Sequence, residues 1–284
     1  MPTLSISTIS KLHLTQRDTK MAGTLFVTAT PIGNMGDISA RAVSVLESCD
    51  LVLAEDSRVS GNLLSRLGIK KPVFSYHKFT EKKFLEQHIE ELKSGKNIVL
   101  VSDAGTPAVS DPGKFLVRAA LDENIPVVPV PGASAAISAF SCCGSLENSF
   151  VFAGFLPSKG AERVAECEKF LSFGLPVVFY EAPTSIKDLL EMLQSNCSRI
   201  VVGRELTKQF EEIFVYTGGE IKEKGEFTVV AEPLKKKEKA AEIDKDFLDL
   251  IAKSGISAKT ACEIVSRVYP ELKKNDLKKF FMNK

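Results

Sequence analysis

Residues 97–107 read NIVLVSDAGTP, a short aliphatic run that ends in a turn rich in Asp, Gly and Pro. Branched aliphatic residues favour a buried β-strand, and Gly105 and Pro107 interrupt regular structure. Four further runs of this kind are separated by helical patterns, and they span 24–30, 51–54, 72–76 and 125–130. Strands that alternate with helices predict βα units and a mostly parallel sheet.

A second group of apolar runs follows, at 150–155, 176–180, 199–202, 213–216 and 226–231. Gly218 and Gly219 form a turn between the last two runs, which favours a sheet that is partly antiparallel. After residue 233 the pattern predicts three short helices over 243–253, 258–268 and 275–282. The fold class is therefore expected to be α/β, with two α/β domains and a small helical unit at the C-terminus.

The domain boundaries follow from these changes of pattern. Residues 1–22 are rich in Ser and Thr without a sustained period, and we expect a disordered extension. An N-terminal α/β domain is predicted over 23–145, a C-terminal α/β domain over 146–233, and a basic linker with the helical unit over 234–284. The helical unit is compatible with an RNA contact, a dimer element or a cap over the second domain.

The formal charge of +1 hides an uneven distribution along the chain. Residues 234–284 hold 13 basic and 8 acidic side chains, so the rest of the chain is acidic. A basic tail fits either nucleic-acid contact or a solvated helical surface. The sequence has no apolar run of the roughly 20 residues that a membrane helix needs, and we expect a cytoplasmic protein.

The six cysteines and three histidines are scattered, without the paired spacing of a zinc site or a redox motif. We therefore expect no metal, and cysteines that serve as small core residues in a reducing compartment.

Four loops at the ends of predicted first-domain strands hold most of the unusual polar content, where an open α/β sheet binds its ligand. They read TPIGNMGD at 30–37, AEDSR at 54–58, VSDAGTP at 101–107 and PVPGASAA at 129–136. Taken singly, each loop is explained by turn chemistry. Glu55 and Asp56 follow a strand beside Arg58, Asp103 ends another strand, and Ser134 opens a helix whose N-terminus favours an anion.

The order and wording of these loops, with FYEAP at 179–183 and RELTK at 204–208, resemble the tetrapyrrole methylase superfamily. Within it the chain is similar to the branch that methylates ribosomal RNA, from about residue 23 to the C-terminal stretches SAKTA and KKNDLKKF. The resemblance implies S-adenosylmethionine-dependent 2′-O-methylation of a cytidine ribose in small-subunit ribosomal RNA. It also implies a homodimer that acts on this RNA or on the assembled small subunit.

The resemblance implies a donor site in the cleft between two α/β domains. By position, the residues that would contact S-adenosylmethionine are Pro31, Ile32, Gly33, Asp103, Ala104, Gly105, Thr106, Ser134, Ala135, Tyr180 and Glu181. Loop position and residue type suggest Glu55, Asp56 and Glu205 as candidate general bases. Arg58, His77, Arg204 and Lys208 are the candidates for substrate contact.

Two departures from the family pattern concern RNA contact. Thr184 and Ser185 stand where relatives generally have His and Arg, and Lys78, Phe79 and Thr80 replace the usual acidic and histidine residues. Two rival functions therefore stay open. One is a small-molecule methyltransferase that acts on a tetrapyrrole-like substrate, and the other is a ribosome assembly factor that binds RNA without catalysis.

Overall fold

A computed structural model describes residues 22–78, 80–235, 245–269 and 274–282. The chain divides into two compact units with the boundary between Glu232 and Pro233. Of the extension predicted at 1–22, only residue 22 is among the described residues. Phe79, one of the departures from the family pattern, also lies outside them. The finer domain boundary at 145/146 stays a prediction.

The first unit begins with a five-stranded sheet of order β3-β2-β4-β1-β5. All four strand pairings in this sheet are parallel, which confirms the predicted sheet type. The strands are β1 (Leu25–Thr28), β2 (Leu51–Ala54), β3 (Val73–Ser75), β4 (Ile98–Val101) and β5 (Val127–Val130). The helices that follow them are α1 (Ala40–Ser48), α2 (Ser57–Arg66), α3 (Glu81–Lys93), α4 (Lys114–Asp122) and α5 (Ala135–Cys142).

The central strand β4 shows how helices cover both faces of this sheet. Ile98 and Leu100 belong to one apolar cluster with residues of α3 and α4. Val99 and Val101, which point to the opposite face, belong to another cluster with residues of α1 and α2. All four side chains are buried, as expected for a parallel strand between two helical layers.

The second sheet has the order β6-β7-β10-β8-β9 and is mixed, as predicted. β6 pairs with β7 in parallel, whereas β7–β10 and β8–β9 are antiparallel. Its strands are β6 (Val151–Phe155), β7 (Val177–Glu181), β8 (Cys197–Arg204), β9 (Glu212–Val215) and β10 (Phe227–Pro233), and its helices are α6 (Gly160–Leu171) and α7 (Ile186–Gln194). The Gly218–Gly219 turn lies between β9 and β10 in the sequence. These two strands are not neighbours in the sheet, because β8 lies between them. The antiparallel hairpin is instead β8–β9.

Helix α5 joins the two sheets. It follows the last strand of the first sheet, yet its Ala136 and Ala139 are buried in a cluster with Val178, Val201 and Val230 of the second sheet. Because alanine side chains are small, the helix axis can approach the sheet closely. The carboxyl end of the first sheet is thereby held against the second sheet.

The second unit, by itself, consists of α8 (Lys245–Lys253), α9 (Ala258–Val268) and α10 (Lys274–Met282). Leu248, Cys262, Val265 and Leu277 form its buried core. The three predicted helices are confirmed over the described residues, and residues 243 and 244 of the first predicted helix lie outside them. No helix of the described ranges is long and apolar enough to cross a membrane.

Gly113 immediately precedes α4 and provides the first test of the fold. Its φ is +120°, and a Cβ atom there would lie 2.5 Å from Leu100 Cδ2 in the core. Gly68 also has a positive φ, of +73°, but a Cβ atom at that position would have no neighbour within 4 Å. We expect Gly113→Ala to lower the free energy of unfolding by about 3 kcal/mol or more, from strain plus overpacking. Gly68→Ala should cost about 1 kcal/mol, from strain alone.

Urea denaturation of both variants and the wild type measures the difference. Equal losses for the two glycine variants would show that contact with Leu100 is not what requires glycine at position 113.

Candidate active site

The third loop, at 101–107, is hydrogen-bonded to the first and fourth loops. Thr30 and Gly105 exchange backbone hydrogen bonds, N to O at 2.9 and 3.1 Å. Thr106 Oγ1 donates to the carbonyl of Ala133 in the fourth loop at 3.3 Å. The four loops all follow parallel strands, so they lie at one edge of the sheet, and these bonds fix their relative positions.

The second loop is attached through a main-chain donor. The backbone N–H of Asp56 donates to Asp103 Oδ1 at 2.9 Å, which orients the Asp103 carboxylate. In the segment that follows the third loop, Ala108 and Ser110 have φ values of +64° and +66°. Left-handed backbone at a residue other than glycine costs on the order of 1–3 kcal/mol and is concentrated at functional sites.

These loops line a cavity of about 400 Å³ together with strands of the second sheet. Ten residues predicted for the site line it: Ile32, Glu55, Asp103, Ala104, Gly105, Thr106, Ser134, Ala135, Tyr180 and Glu181. Nine lining residues were not among the predicted ones: Val109, Ser110, Asp111, Phe155, Ala182, Pro183, Glu226, Phe227 and Thr228. The cavity volume falls within the range of about 300–1,000 Å³ typical of small-molecule sites.

Five carboxylate residues line this cavity, and three of them, Glu55, Asp103 and Asp111, lie close enough for their charges to interact. Burial raises the pKa of Asp111 to about 6, and repulsion from Glu55 and then Asp103 adds to the effect. Burial and the charge of Asp103 also raise the pKa of Glu55, while Lys78 and His77 act in the opposite direction. A group of carboxylates that repel one another in a partly dry cavity is stabilised by a bound cation.

Another part of the cavity lining is aromatic. The Tyr180 ring packs against Phe155 and Phe152, with centroids 5.5 and 5.1 Å apart. Its hydroxyl oxygen accepts a hydrogen bond from Ala136 N of α5 at 3.2 Å, and burial raises the pKa of the phenol. The wall is therefore rigid and apolar, with the polar end of Tyr180 already used at the start of α5.

Glu181 lines the cavity, but its carboxylate is held by its own neighbours. It forms a buried ion pair with Arg163, and Oε1 accepts from Ser185 Oγ at 2.6 Å and from Ala182 N at 3.0 Å. Arg163 also donates to the carbonyl of Pro157 at 3.1 Å. Ser185, one of the two departures from the family pattern in this segment, thus helps to fix the end of β7.

Asp56 and Arg58 form a local pair at the start of α2. Asp56 Oδ1 accepts from the backbone N–H of Arg58 at 2.8 Å, and Oδ2 accepts from the guanidinium at 2.7 Å. The hydrogen bonds from Arg58 lower the pKa of Asp56 to about 2. Neither residue is among those that line the cavity. Asp56 caps the helix, and a carboxylate with so low a pKa is a weak base.

The RELTK segment forms a second network beside the cavity. Glu205 Oε1 accepts from Lys208 Nζ at 2.8 Å and from Glu226 N at 2.9 Å, and these bonds lower the pKa of Glu205. The buried Arg204 donates through Nε to Glu212 Oε2 at 2.9 Å. The structure therefore gives structural partners to Glu205, Lys208 and Arg204, and only their neighbour Glu226 reaches the cavity lining.

The first loop is divided between two cavities. Ile32 lines the large cavity, whereas Pro31 and Gly33 line a second cavity of about 270 Å³. His77 lies in the segment before α3, where its backbone N–H donates to Thr80 Oγ1 at 3.1 Å. The structure thus brings Ile32 to the predicted donor site but not its two neighbours.

Some of the missed residues had a signal in the sequence and others had none. Asp111 continues the third loop in the stretch SDPG, and an Asp followed by Pro and Gly indicates a polar turn. Phe155 and Thr228 come from strands of the second sheet whose patterns look like those of any strand. Within the described ranges, no group of His, Cys, Asp and Glu has the arrangement of a metal site.

Comparison with known proteins agrees with this geometry. The family model for tetrapyrrole (corrin/porphyrin) methylases matches residues 24–222. The ribosomal RNA small subunit methyltransferase I of Haemophilus influenzae is 41% identical over 280 residues, which cover 92% of this chain and 97% of that protein. The protein of the same name from Pasteurella multocida is 38% identical over 272 residues, which cover 90% and 96%.

Among solved structures, diphthine synthase superposes with a TM-score of 0.57 at 14% identity, covering 74% of this chain and 90% of that one, so the likeness concerns the fold. The chain therefore belongs to the tetrapyrrole (corrin/porphyrin) methylase family, and within it to the group of proteins named ribosomal RNA small subunit methyltransferase I.

Proposed function

We propose that this protein uses S-adenosylmethionine to methylate the 2′-hydroxyl of a cytidine ribose in small-subunit ribosomal RNA. The observation that carries the proposal is the cavity whose lining combines the carboxylates of Glu55, Asp103 and Asp111 with the aromatic rings of Tyr180 and Phe155. The names of the relatives supply the class of acceptor. We extend the proposal to a cytoplasmic homodimer, as the family resemblance implies.

The residues of the cavity fit a ligand with the properties of this donor. Its sulfonium and ammonium groups are cations, which the three carboxylates would stabilise. Its carboxylate would find the N-terminus of α5, where Ser134 and Ala135 line the cavity. Tyr180 and Ile32 supply the apolar surface that a purine ring and a ribose need.

When bound, S-adenosylmethionine supplies a methyl group on a positively charged sulfur, which an oxygen nucleophile can attack in line. The protein contributes by holding both reactants in that geometry and by accepting the proton of the hydroxyl. Of the three candidate bases, only Glu55 lines the cavity, and its pKa is raised. We assign the base role to Glu55, with Asp56 and Glu205 holding the structure around it.

The remaining residues would position the donor. The carboxylate of Glu181 is engaged by Arg163 and Ser185, so its part is to fix the end of β7, with Tyr180 and Pro183 facing the cavity. The network of Arg204, Glu205 and Lys208 would hold the adjoining loop, since its charges are already paired.

The direct test is a map of ribose methylation on small-subunit RNA from cells with and without the gene. We expect one cytidine to lose its 2′-O-methyl group in the deletion strain and to regain it on complementation. Purified protein should show the same activity on isolated small subunits, with a tetrapyrrole as the control acceptor. An unchanged map, or turnover of the tetrapyrrole alone, would contradict the proposal.

The raised pKa of Asp111 predicts how donor binding depends on pH. A cationic donor binds better to the ionised carboxylate, so affinity should rise as pH increases from about 5 to about 7, through the pKa of about 6. Calorimetric titration with the donor measures this dependence. Asp111→Asn removes the titrating group and should flatten the curve. A variant that kept the wild-type pH dependence would show that Asp111 is not the group that titrates.

Substitution of the proposed base separates chemistry from binding. Glu55→Gln should reduce the single-turnover rate at saturating donor by about 10²- to 10⁴-fold, the usual contribution of a positioned base. Glu205→Gln is the matched control, because its carboxylate is already paired with Lys208. If Glu55→Gln weakened donor affinity and left the rate unchanged, the residue would belong to the donor pocket instead.

A further inference from the structure

The second cavity lies between the first loop and one face of α2. Its lining from α2 comprises Val59, Asn62, Leu63 and Arg66, which are spaced three and four residues apart and therefore share one helical face. Thr30, Pro31, Gly33 and Met35 of the first loop form the facing side. The cavity is thus built from regular structure on one side and a turn held by hydrogen bonds on the other.

Asp103 connects this cavity with the large one, because it is the residue that lines both. Its carboxylate is oriented by the bond from Asp56 N, and its charge acts on Glu55. Methyl transfer needs a donor and an acceptor in adjoining spaces, with the reacting atoms meeting at the junction. Asp103 marks that junction, and Glu55 lines the large cavity within reach of the charge of Asp103.

The charge around the second cavity favours a polyanion. From residue 57 to residue 80 the sequence contains five Lys and Arg and no Asp or Glu, in a chain whose total charge is only +1. Arg66 lines the cavity with an exposed side chain, and Lys70 and Lys78 of the same stretch are exposed but do not line it. Val59, 42% exposed at the same cavity, offers an apolar contact for a base. Exposed cations beside an apolar surface suit a single RNA strand.

We propose that the second cavity binds the acceptor nucleoside of a single RNA strand, with Arg66 contacting a neighbouring phosphate. The inference rests on the proposed function and assigns Pro31 and Gly33 to the acceptor, not to the donor. The ribose oxygen at Asp103 forms the new C–O bond while the C–S bond of the donor breaks. A neutral thioether leaves, and the hydroxyl proton passes to the Glu55 carboxylate.

Two substitutions on the α2 face test the assignment. Val59→Trp should fill the cavity and reduce kcat/KM for isolated small subunits by about 100-fold or more, while the donor Kd stays within about twofold of wild type. Arg66→Ala should weaken binding of small-subunit RNA by on the order of tenfold and reduce the slope of log K against log salt by about one. An arginine with a merely structural role would leave this slope unchanged.

Arg118→Ala is the matched control, since Arg118 is an exposed arginine on α4 that lines none of the described cavities. It should leave RNA binding and the salt slope at wild-type values. The retained donor Kd shows in each variant that the first unit is folded.

The inference about the second cavity would be overturned if Val59→Trp and Arg66→Ala both behaved like the wild type. The proposed function would still stand in that case, provided that the wild-type protein methylated small subunits. If wild-type protein methylated no RNA and bound no donor, the proposed function itself would fail.

Discussion

The packing of α5 on the second sheet is the constraint on which the rest of the structure depends. The helix begins at Ala135, within the fourth loop segment, so its position fixes the carboxyl edge of the first sheet relative to the second. Ala136 and Ala139 allow close approach, and Ala136 N also donates to the Tyr180 hydroxyl at 3.2 Å. A single helix therefore closes an apolar interface and sets one wall of the cavity at the same time. Larger side chains at these positions would separate the two sheets.

The cavity concentrates like charge at a place where the backbone is already strained. Burial and repulsion from neighbouring carboxylates raise the pKa values of Asp111 and Glu55. Ala108 and Ser110, in the segment just before Asp111, adopt left-handed conformations. These costs are tolerated because hydrogen bonds to the neighbouring loops and the buried core beneath hold the loop in place. The carboxylates of this site are already in place without a ligand. Such a preorganised negative site favours a cationic ligand, such as the proposed sulfonium donor, over a neutral one.

Much of the fold could be predicted from the sequence because most strands are short aliphatic runs, and most of these runs end in a Gly- or Pro-containing turn. The same turns located ten of the residues that line the cavity. The features that could not be predicted from the sequence are those that depend on tertiary contacts. The turn at Gly218 and Gly219 gave no indication that β10 would lie between β7 and β8. Nor did the sequence around Arg163, near the start of α6, indicate a buried partner in Glu181. Long-range pairings of this kind leave no local periodicity to detect.

The link between Asp56 and Asp103 has a consequence for how the site tolerates sequence change. Its donor is a peptide N–H, which every amino acid except proline possesses. Position 56 can therefore vary in side chain, at the expense of its helix cap, without releasing the carboxylate that lines both cavities. The orientation of the Asp103 carboxylate depends on the path of the main chain. Side-chain substitution at the residue that supplies the bond therefore leaves this orientation unchanged.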